Sequence, residues 1–182
     1  MPPRRSDLVP RLAELSDVPA LNELIHASAR ELSRGYYTEA QIDAAIRYVF
    51  GVDTTLVRDR TYYTVDVGGR LVACGGWSRR GALYGGDQRR MEEAPLLDPA
   101  RAPARIRAFF VAPDWARRGL GRRLLETCGE RAAAEGYRAL ELMSTLPGVP
   151  LYEACGFAPV EEMVDRLPNG VELPFVRMRR AL

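Results

Sequence analysis

Apolar residues recur at two different intervals along this chain, and the intervals separate expected helices from expected strands. A spacing of three to four residues, typical of one helix face, predicts helices over 17–35, 38–49 and 119–135, with a short one over 149–155. Thr38 and Gln41 have the spacing of a capping box, which marks the start of the second helix. Gly35 ends the first helix.

Runs of β-branched, aromatic and alternating apolar residues predict the strands. They are expected over 8–14, 61–67, 70–78, 105–112, 138–143, 157–166 and 171–179. Because a helix separates the strand at 105–112 from the one at 138–143, these two form the one expected parallel pair. The expected fold class is α+β, a mixed and mostly antiparallel sheet of six to seven strands flanked by about four helices.

Two local features depart from these patterns. Gly75 and Gly76 fall inside the expected strand 70–78, where glycine weakens a strand, so they indicate a bulge or a close approach to the backbone. The polar stretch 79–104 has little periodicity, and a connection of that length is usually functional or mobile.

Composition narrows the classes of function. A chain of 182 residues fits one domain, taken as 1–182, and its net charge of +2 gives no footprint for nucleic acid. Three cysteines without a CxxC pair and the single histidine, His26, argue against a disulfide framework and against a metal site. No apolar run approaches the roughly 20 residues of a membrane span. The expectation is therefore a cytoplasmic protein without a membrane partner.

The segment VAPDWARRGLGR, residues 111–122, carries the strongest chemical signal. It leads from an expected strand into the helix 119–135, whose first amides have no partner within the helix. Glycines let an anion approach those amides, and arginines at 117, 118, 122 and 123 add positive charge. The segment matches neither a Walker A loop nor the full dinucleotide fingerprint. It predicts a pyrophosphate site or, alternatively, an ordinary turn with exposed arginines.

The same segment resembles the acetyl-CoA signature of the GNAT superfamily of N-acetyltransferases, Gln/Arg-x-x-Gly-x-Gly/Ala after a strand ending in Val-x-Pro. VAP at 111–113 and GLG at 119–121 match it, whereas Ala116 stands where Gln or Arg is preferred. LYEACGF at 151–157 resembles the family's Leu-Tyr-x-x-x-Gly-Phe. The resemblance implies a splayed parallel strand pair and acetyl-CoA as co-substrate. It implies cofactor contacts from Phe110, Val111, Arg117, Arg118, Gly119, Leu120, Gly121 and Arg122.

The resemblance also implies a direct transfer, in which a neutral amine attacks the thioester and coenzyme A leaves as a thiolate. Backbone N–H groups near Phe110 and Val111 would polarise the carbonyl, as in an oxyanion hole. Tyr152 would donate a hydrogen bond to the leaving sulfur. The alternative is that Tyr152 is a core tyrosine beside Phe157.

The acceptor side is less defined. In the family the acceptor usually enters opposite the cofactor, near the first helices and middle strands, which makes the stretch 79–104 a candidate lid. The candidate substrate residues are Tyr36, Tyr37, Trp77, Tyr84 and Glu141. An aromatic wall with some carboxylates suits a cationic amine, whereas arginines at 79, 80, 89 and 90 would suit an acidic acceptor or simply form a solvated loop.

The general base is the least visible part of the site. Glu141 is a candidate for the base, although it could instead form an ion pair with Arg107 or Arg138. A chain of water molecules leading to bulk solvent is the alternative base.

The leading hypothesis is an N-acetyltransferase acting on a small-molecule or peptide amine. A non-catalytic acyl-CoA-binding module is the runner-up, because the strand at 105–112 lacks the glutamate that many GNAT enzymes place there. A protein that binds another nucleotide phosphate through the same helix terminus is a third hypothesis. A homodimer formed through the C-terminal hairpin stays open.

Overall fold

A computed structural model describes residues 8–89 and 94–182. Its strands are β1 (Arg11–Leu12), β2 (Tyr62–Val67), β3 (Arg70–Ser78), β4 (Ala104–Val111), β5 (Ala139–Thr145), β6 (Ala158–Arg166) and β7 (Glu172–Ala181). Its α-helices are α1 (Val18–Leu32), α2 (Glu39–Tyr48), α3 (Thr54–Arg58), α4 (Leu120–Ala134) and α5 (Val149–Ala154).

The strands form one mixed sheet in the order β1-β2-β3-β4-β5-β7-β6. Every neighbouring pair is antiparallel except β4 and β5. These two strands pair only through Ala104–Leu140 and Arg105–Glu141, at the start of each strand. Beyond that point they separate, which confirms the predicted fold class and the splayed parallel pair.

Local sequence signals account for most of the element boundaries. Thr38 and Gln41 form the predicted capping box at the start of α2, with the Gln41 amide donating to Thr38 Oγ1 at 3.2 Å. The other predicted helices and six of the seven strands occur close to their predicted ranges. The signals were sufficient wherever an element is long enough to show a period.

Two short elements differ from the prediction. β1 pairs with β2 over only two residues of the predicted range 8–14, next to Pro10, whose nitrogen carries no hydrogen to donate. The helix α3 was not predicted, because five residues are too few to show a helical period. Its N-cap is Asp53, whose carboxylate accepts from the Thr55 amide at 2.9 Å.

Helices α1 and α4 pack on β3 and β4, the strands beside the splay. The apolar face of α4 is fully buried, with Leu124, Leu125, Cys128 and Ala132 each at most 1% exposed. Both helices are therefore rigid supports for whatever lies at the splayed end of β4. Within the described residues no helix combines the length and apolar character needed to cross a membrane.

Candidate active site

A cavity of about 560 Å³ opens where β4 and β5 separate. The C-terminal half of α1, the end of β4, the loop before α4, the first turn of α4 and the helix α5 bound it. Among the predicted cofactor residues, those that line this cavity are Phe110, Val111, Arg117, Gly119, Leu120, Gly121 and Arg122. Arg118 is the exception. The splay thus brings the two sequence motifs, 111–122 and 151–157, to one cavity.

The loop before α4 has an unusual backbone conformation. Arg117 (φ 65°) and Gly119 (φ 83°) both adopt left-handed conformations, and Gly119 is the N-cap of α4. Such a conformation is disfavoured for residues with a Cβ. Consecutive turns of this kind form concave amide surfaces that bind anions, and the helix dipole adds to the positive potential there.

Close packing links this loop to α5. A Cβ at position 121 would lie 2.8 Å from Leu151 Cδ2, which is closer than packed carbons come. The second glycine of the motif therefore lets α5 approach the first turn of α4. Because α5 also carries Tyr152, Gly121 affects where that tyrosine sits.

The arginines of the motif have different environments. Arg117 and Arg122 line the larger cavity, and Arg122 also donates to the Ala154 carbonyl at 3.2 Å. The Arg118 guanidinium instead lies 4.7 Å from the centre of the Trp115 ring. The two arginines that line the cavity are thus the better candidates to contact a phosphate.

A β-bulge shapes the wall formed by β4. Arg107 pairs with Gly76 and Phe110 pairs with Cys74, so two residues of β4, Ala108 and Phe109, face the single residue Gly75. A Cβ at Gly75 would lie 2.6 Å from the Phe109 ring. This confirms the sequence-based expectation of a bulge or close approach at the two glycines.

The bulge is held from inside the protein. Ala108 has a positive φ of 54°, a strained conformation for a residue with a side chain. The buried Tyr62 hydroxyl donates to the Ala108 carbonyl at 2.9 Å. Burial raises the pKa of the Tyr62 phenol well above its usual value, so this donor keeps its proton. Tyr62 therefore fixes the carbonyl that precedes the Phe109 amide.

A smaller cavity of about 70 Å³ adjoins the larger one. The two share Phe50, Phe109, Phe110, Thr145 and Tyr152 as lining residues. The smaller cavity continues between the loop 83–86 and the apolar surface of β4, β5 and β7. The two cavities are therefore adjacent, with these five residues at their boundary.

Tyr152 lies at the boundary between the cavities. Its side chain is 8% exposed, and its ring contacts Phe157 and Phe109 edge-on at centroid distances of 5.7 and 6.5 Å. Burial raises the pKa of the Tyr152 phenol above its usual value. The phenol is therefore a neutral hydrogen-bond donor at any pH near 7.

The residues predicted for the acceptor side do not all come together. Tyr36 lines the larger cavity and Tyr84 the smaller one. Trp77 is buried in the core at 2% exposure, and it is not among the described residues that line either cavity. Glu141, also outside both linings, accepts a hydrogen bond from Arg105 at 2.5 Å. Its partner is thus a different arginine from the two considered on sequence grounds.

Tyr37 joins distant parts of the chain. Its hydroxyl donates to the Pro174 carbonyl at 2.6 Å and accepts from the Leu146 amide at 3.0 Å. Burial raises the pKa of this phenol to about 12, and the bond from Leu146 acts in the opposite direction. Tyr37 therefore ties the α1–α2 connection to the ends of β5 and β7.

Sequence reasoning missed several lining residues. Ser28, near the end of α1, and its C-cap Ser33 are buried and line the larger cavity, and small polar residues among apolar ones were a usable signal there. Trp115 lies inside the recognised motif. Phe50 and Phe175 reach the cavities from distant segments and leave no local pattern.

The sequence model of the acetyltransferase (GNAT) family matches residues 22–157, well over half of the chain. The chain belongs to the GNAT acetyltransferase family. The resemblance inferred from two motifs is thereby confirmed, and the larger cavity lies where both motifs of this GNAT chain meet. No curated protein sequence matches the chain.

Several solved structures have a similar fold. A GCN5-related N-acetyltransferase from Rhodopseudomonas palustris has a TM-score of 0.72 at 16% identity, covering 96% of each chain. The PaiA N-acetyltransferase from Thermoplasma acidophilum, in complex with coenzyme A, has a TM-score of 0.63 at 12% identity, covering 96% of this chain and 99% of that one. A ribosomal-protein-alanine N-acetyltransferase from Brucella melitensis scores 0.61 at 16% identity, covering 96% and 100%. At these identities the likeness concerns the fold.

Proposed function

We propose that this GNAT chain transfers the acetyl group of acetyl-CoA to a primary amine by direct attack, with Tyr152 stabilising the leaving thiolate. One observation carries the proposal. Tyr152, the start of α4 and the splayed end of β4 all line one cavity. A similar fold has been crystallised with coenzyme A, which supports the choice of co-substrate.

The first task is to hold the co-substrate. The amides at the N-terminus of α4 and the left-handed turn at Arg117 and Gly119 suit a diphosphate, with Arg117 and Arg122 neutralising its charge. The rest of the co-substrate would extend along the splay toward Tyr152. In this arrangement the backbone provides most of the binding groups.

The second task is to polarise the thioester. Amides of β4 at and after the bulge are the candidate donors, because β5 pairs with β4 only at Ala104 and Arg105 and has separated from this part of the strand. Phe109, Phe110 and Val111 line the larger cavity here, and the last two also pair with Cys74 and Ala73 of β3. Such donors stabilise the negative charge that develops on the carbonyl oxygen.

The third task is to release the thiolate. The amine nitrogen forms a bond to the carbonyl carbon, and the C–S bond breaks. A proton, balancing the one lost by the amine, then neutralises the thiolate. A phenol has a pKa of about 10 and a thiol of about 8.5, so full proton transfer from Tyr152 is uphill. Burial raises the Tyr152 pKa further. We infer that Tyr152 donates a hydrogen bond and keeps its proton.

The proton from the attacking amine needs an acceptor. Glu141 is held by Arg105 and is outside both cavity linings, which favours water as the first acceptor. With a water acceptor, kcat/KM rises with pH until the free amine is deprotonated in solution.

A thiol-release assay tests the proposal. Acetyl-CoA is incubated with the protein and a panel of primary amines, amino acids and short peptides, with acetyl-CoA alone as the control for hydrolysis. The expected result is amine-dependent release of coenzyme A, with the acetylated amine detected by mass spectrometry. Tight binding of acetyl-CoA by calorimetry without any amine-dependent release would instead favour the non-catalytic acyl-CoA-binding module. The arginine-containing sequence of β4, with no glutamate, is what favours that second candidate.

A further inference from the structure

The described lining of the smaller cavity contains no charged side chain. We propose that the acceptor is an amine carried on an apolar aliphatic or aromatic group, with neither a carboxylate nor a second ammonium. This inference rests on the proposed acetyl transfer, because it identifies the smaller cavity as the place where the acceptor lies.

Most of the side chains that line the smaller cavity are apolar, and polar atoms share the exposed surface with them. Leu83 and Tyr84 form one side, and Ile106, Leu142 and Phe175 belong to the sheet opposite them. The rings of Tyr84 and Phe175 lie 5.1 Å apart between centroids, at an angle of 44°. Among the described lining residues none carries a formal charge at neutral pH. The wall offers contacts to a ring or a short alkyl chain.

The nearest buried cation is engaged by the protein. Arg107 follows Ile106 on β4, but its guanidinium donates to the Gly85 carbonyl at 2.7 Å, to the Ala82 carbonyl at 3.1 Å and to the Asp53 carboxylate at 3.0 Å. These bonds hold the loop that contains Leu83 and Tyr84. Arg107 thus shapes the wall, and its charge is matched by Asp53.

The other arginines of this region are paired too. They form the ion pairs Arg79–Glu135, Arg80–Asp59 and Arg89–Asp165. Arg90 lies outside the described residues. These arginines suggested an acidic acceptor on sequence grounds. The described lining, however, contains no cation that could pair with an acidic group of the acceptor.

The loop wall is also fastened in place. The Gly86 amide donates to the Val49 carbonyl at 2.8 Å, and the Asp87 amide donates to the Val52 carbonyl at 2.9 Å. Because these bonds hold the loop, we expect the wall to have this shape before the acceptor binds and to provide no counter-ion. A carboxylate or second ammonium placed here would be buried without a counter-ion, which is strongly unfavourable.

Matched acceptors test this inference. Each pair differs by one charged group: 2-phenylethylamine against phenylalanine, and hexylamine against 1,6-diaminohexane. At saturating acetyl-CoA we expect kcat/KM to be at least about tenfold higher for the first member of each pair. Equal or higher kcat/KM for the charged members overturns the inference and leaves acetyl transfer intact.

Direct binding separates this inference from the proposed function. With coenzyme A bound, calorimetry should show tighter binding of 2-phenylethylamine than of phenylalanine. That preference without any thiol release would support the apolar site and contradict acetyl transfer. Absence of both binding and release for the apolar amines would overturn the inference.

A charge placed in the wall gives an independent test. Leu83→Arg introduces a cation at a half-buried lining position, and we expect the ratio of kcat/KM for 2-phenylethylamine over phenylalanine to fall by about tenfold. Leu96→Arg is the matched control, because Leu96 is 65% exposed and outside the described lining. If circular dichroism shows both variants folded and the ratio is unchanged in Leu83→Arg, the wall is wrongly assigned.

Discussion

The two cavities that meet at Tyr152 are built by opposite means. The groups proposed to bind the co-substrate in the larger one come from one continuous segment, 111–122, through backbone amides, a left-handed turn and glycines. The smaller one takes its wall from side chains of segments far apart in sequence, from Val49 to Phe175. A backbone site requires particular residues at fixed spacing, whereas an apolar wall accepts many combinations. The first can therefore be common to a family while the second varies between its members.

The largest expected effect is at Tyr152, one of the five residues that line both cavities. Tyr152→Phe removes the donor to the leaving sulfur, and turnover should fall by roughly 10–1000-fold, the range for single donors and general acids. Acetyl-CoA affinity, measured by calorimetry, should stay nearly unchanged. Tyr137→Phe is the control, since its hydroxyl donates to the Leu97 carbonyl, away from both cavities. Equal turnover in wild type and Tyr152→Phe would assign Tyr152 to the core alone.

A second prediction concerns the backbone site alone. Gly119→Val forces a β-branched residue into a φ of 83°, and the amides at the start of α4 must shift to relieve it. We expect acetyl-CoA to bind at least about tenfold more weakly, with Kd measured by calorimetry.

Gly170→Val is a well-matched control for that change. Gly170 has the same φ of 83° and equally open space around a Cβ, but it lies in the turn between β6 and β7. Both variants should lose stability, and only Gly119→Val should lose affinity. A similar Kd in the two variants would remove Gly119 from the binding site.

A smaller effect on turnover is expected at Tyr62, which supports the bulge of β4. Tyr62→Phe leaves the Ala108 carbonyl with only the weak contact from the Cys74 thiol at 4.0 Å, which should cost about 1–3 kcal/mol of unfolding free energy. Because the bulge then holds the following amides less firmly, turnover should fall by about threefold to tenfold, with little change in Kd for acetyl-CoA. Tyr63→Phe, at the neighbouring buried position, should leave turnover unaltered. A loss of stability without any loss of turnover would separate the bulge from catalysis.

The same contrast explains what the sequence could predict. The residues around Gly119 and the pair Gly75-Gly76 have local conformational requirements, so their roles in the loop and the bulge were visible as motifs. Arg107 gave no such sign, because its partners Asp53 and Gly85 are distant in the chain. Tyr36 and Tyr37 are adjacent and chemically identical, yet one lines a cavity and the other is a buried tie. Only tertiary structure distinguishes them.

The smallest expected effect on turnover, less than about twofold, is at Tyr37. Tyr37→Phe removes the bond to the Pro174 carbonyl and leaves the Leu146 amide unpaired, so it should cost about 1–3 kcal/mol of unfolding free energy. Tyr36→Phe, at an exposed position, should cost under about 0.5 kcal/mol.

The Tyr37 phenol has a pKa of about 12 in the folded state, against about 10 when unfolded. Its contribution to stability is therefore complete below pH 10 and is lost as pH rises from about 10 to 12. Urea unfolding across that range should show a shallower decline for Tyr37→Phe than for wild type, and an identical decline would mean that Tyr37 is not buried as a neutral phenol.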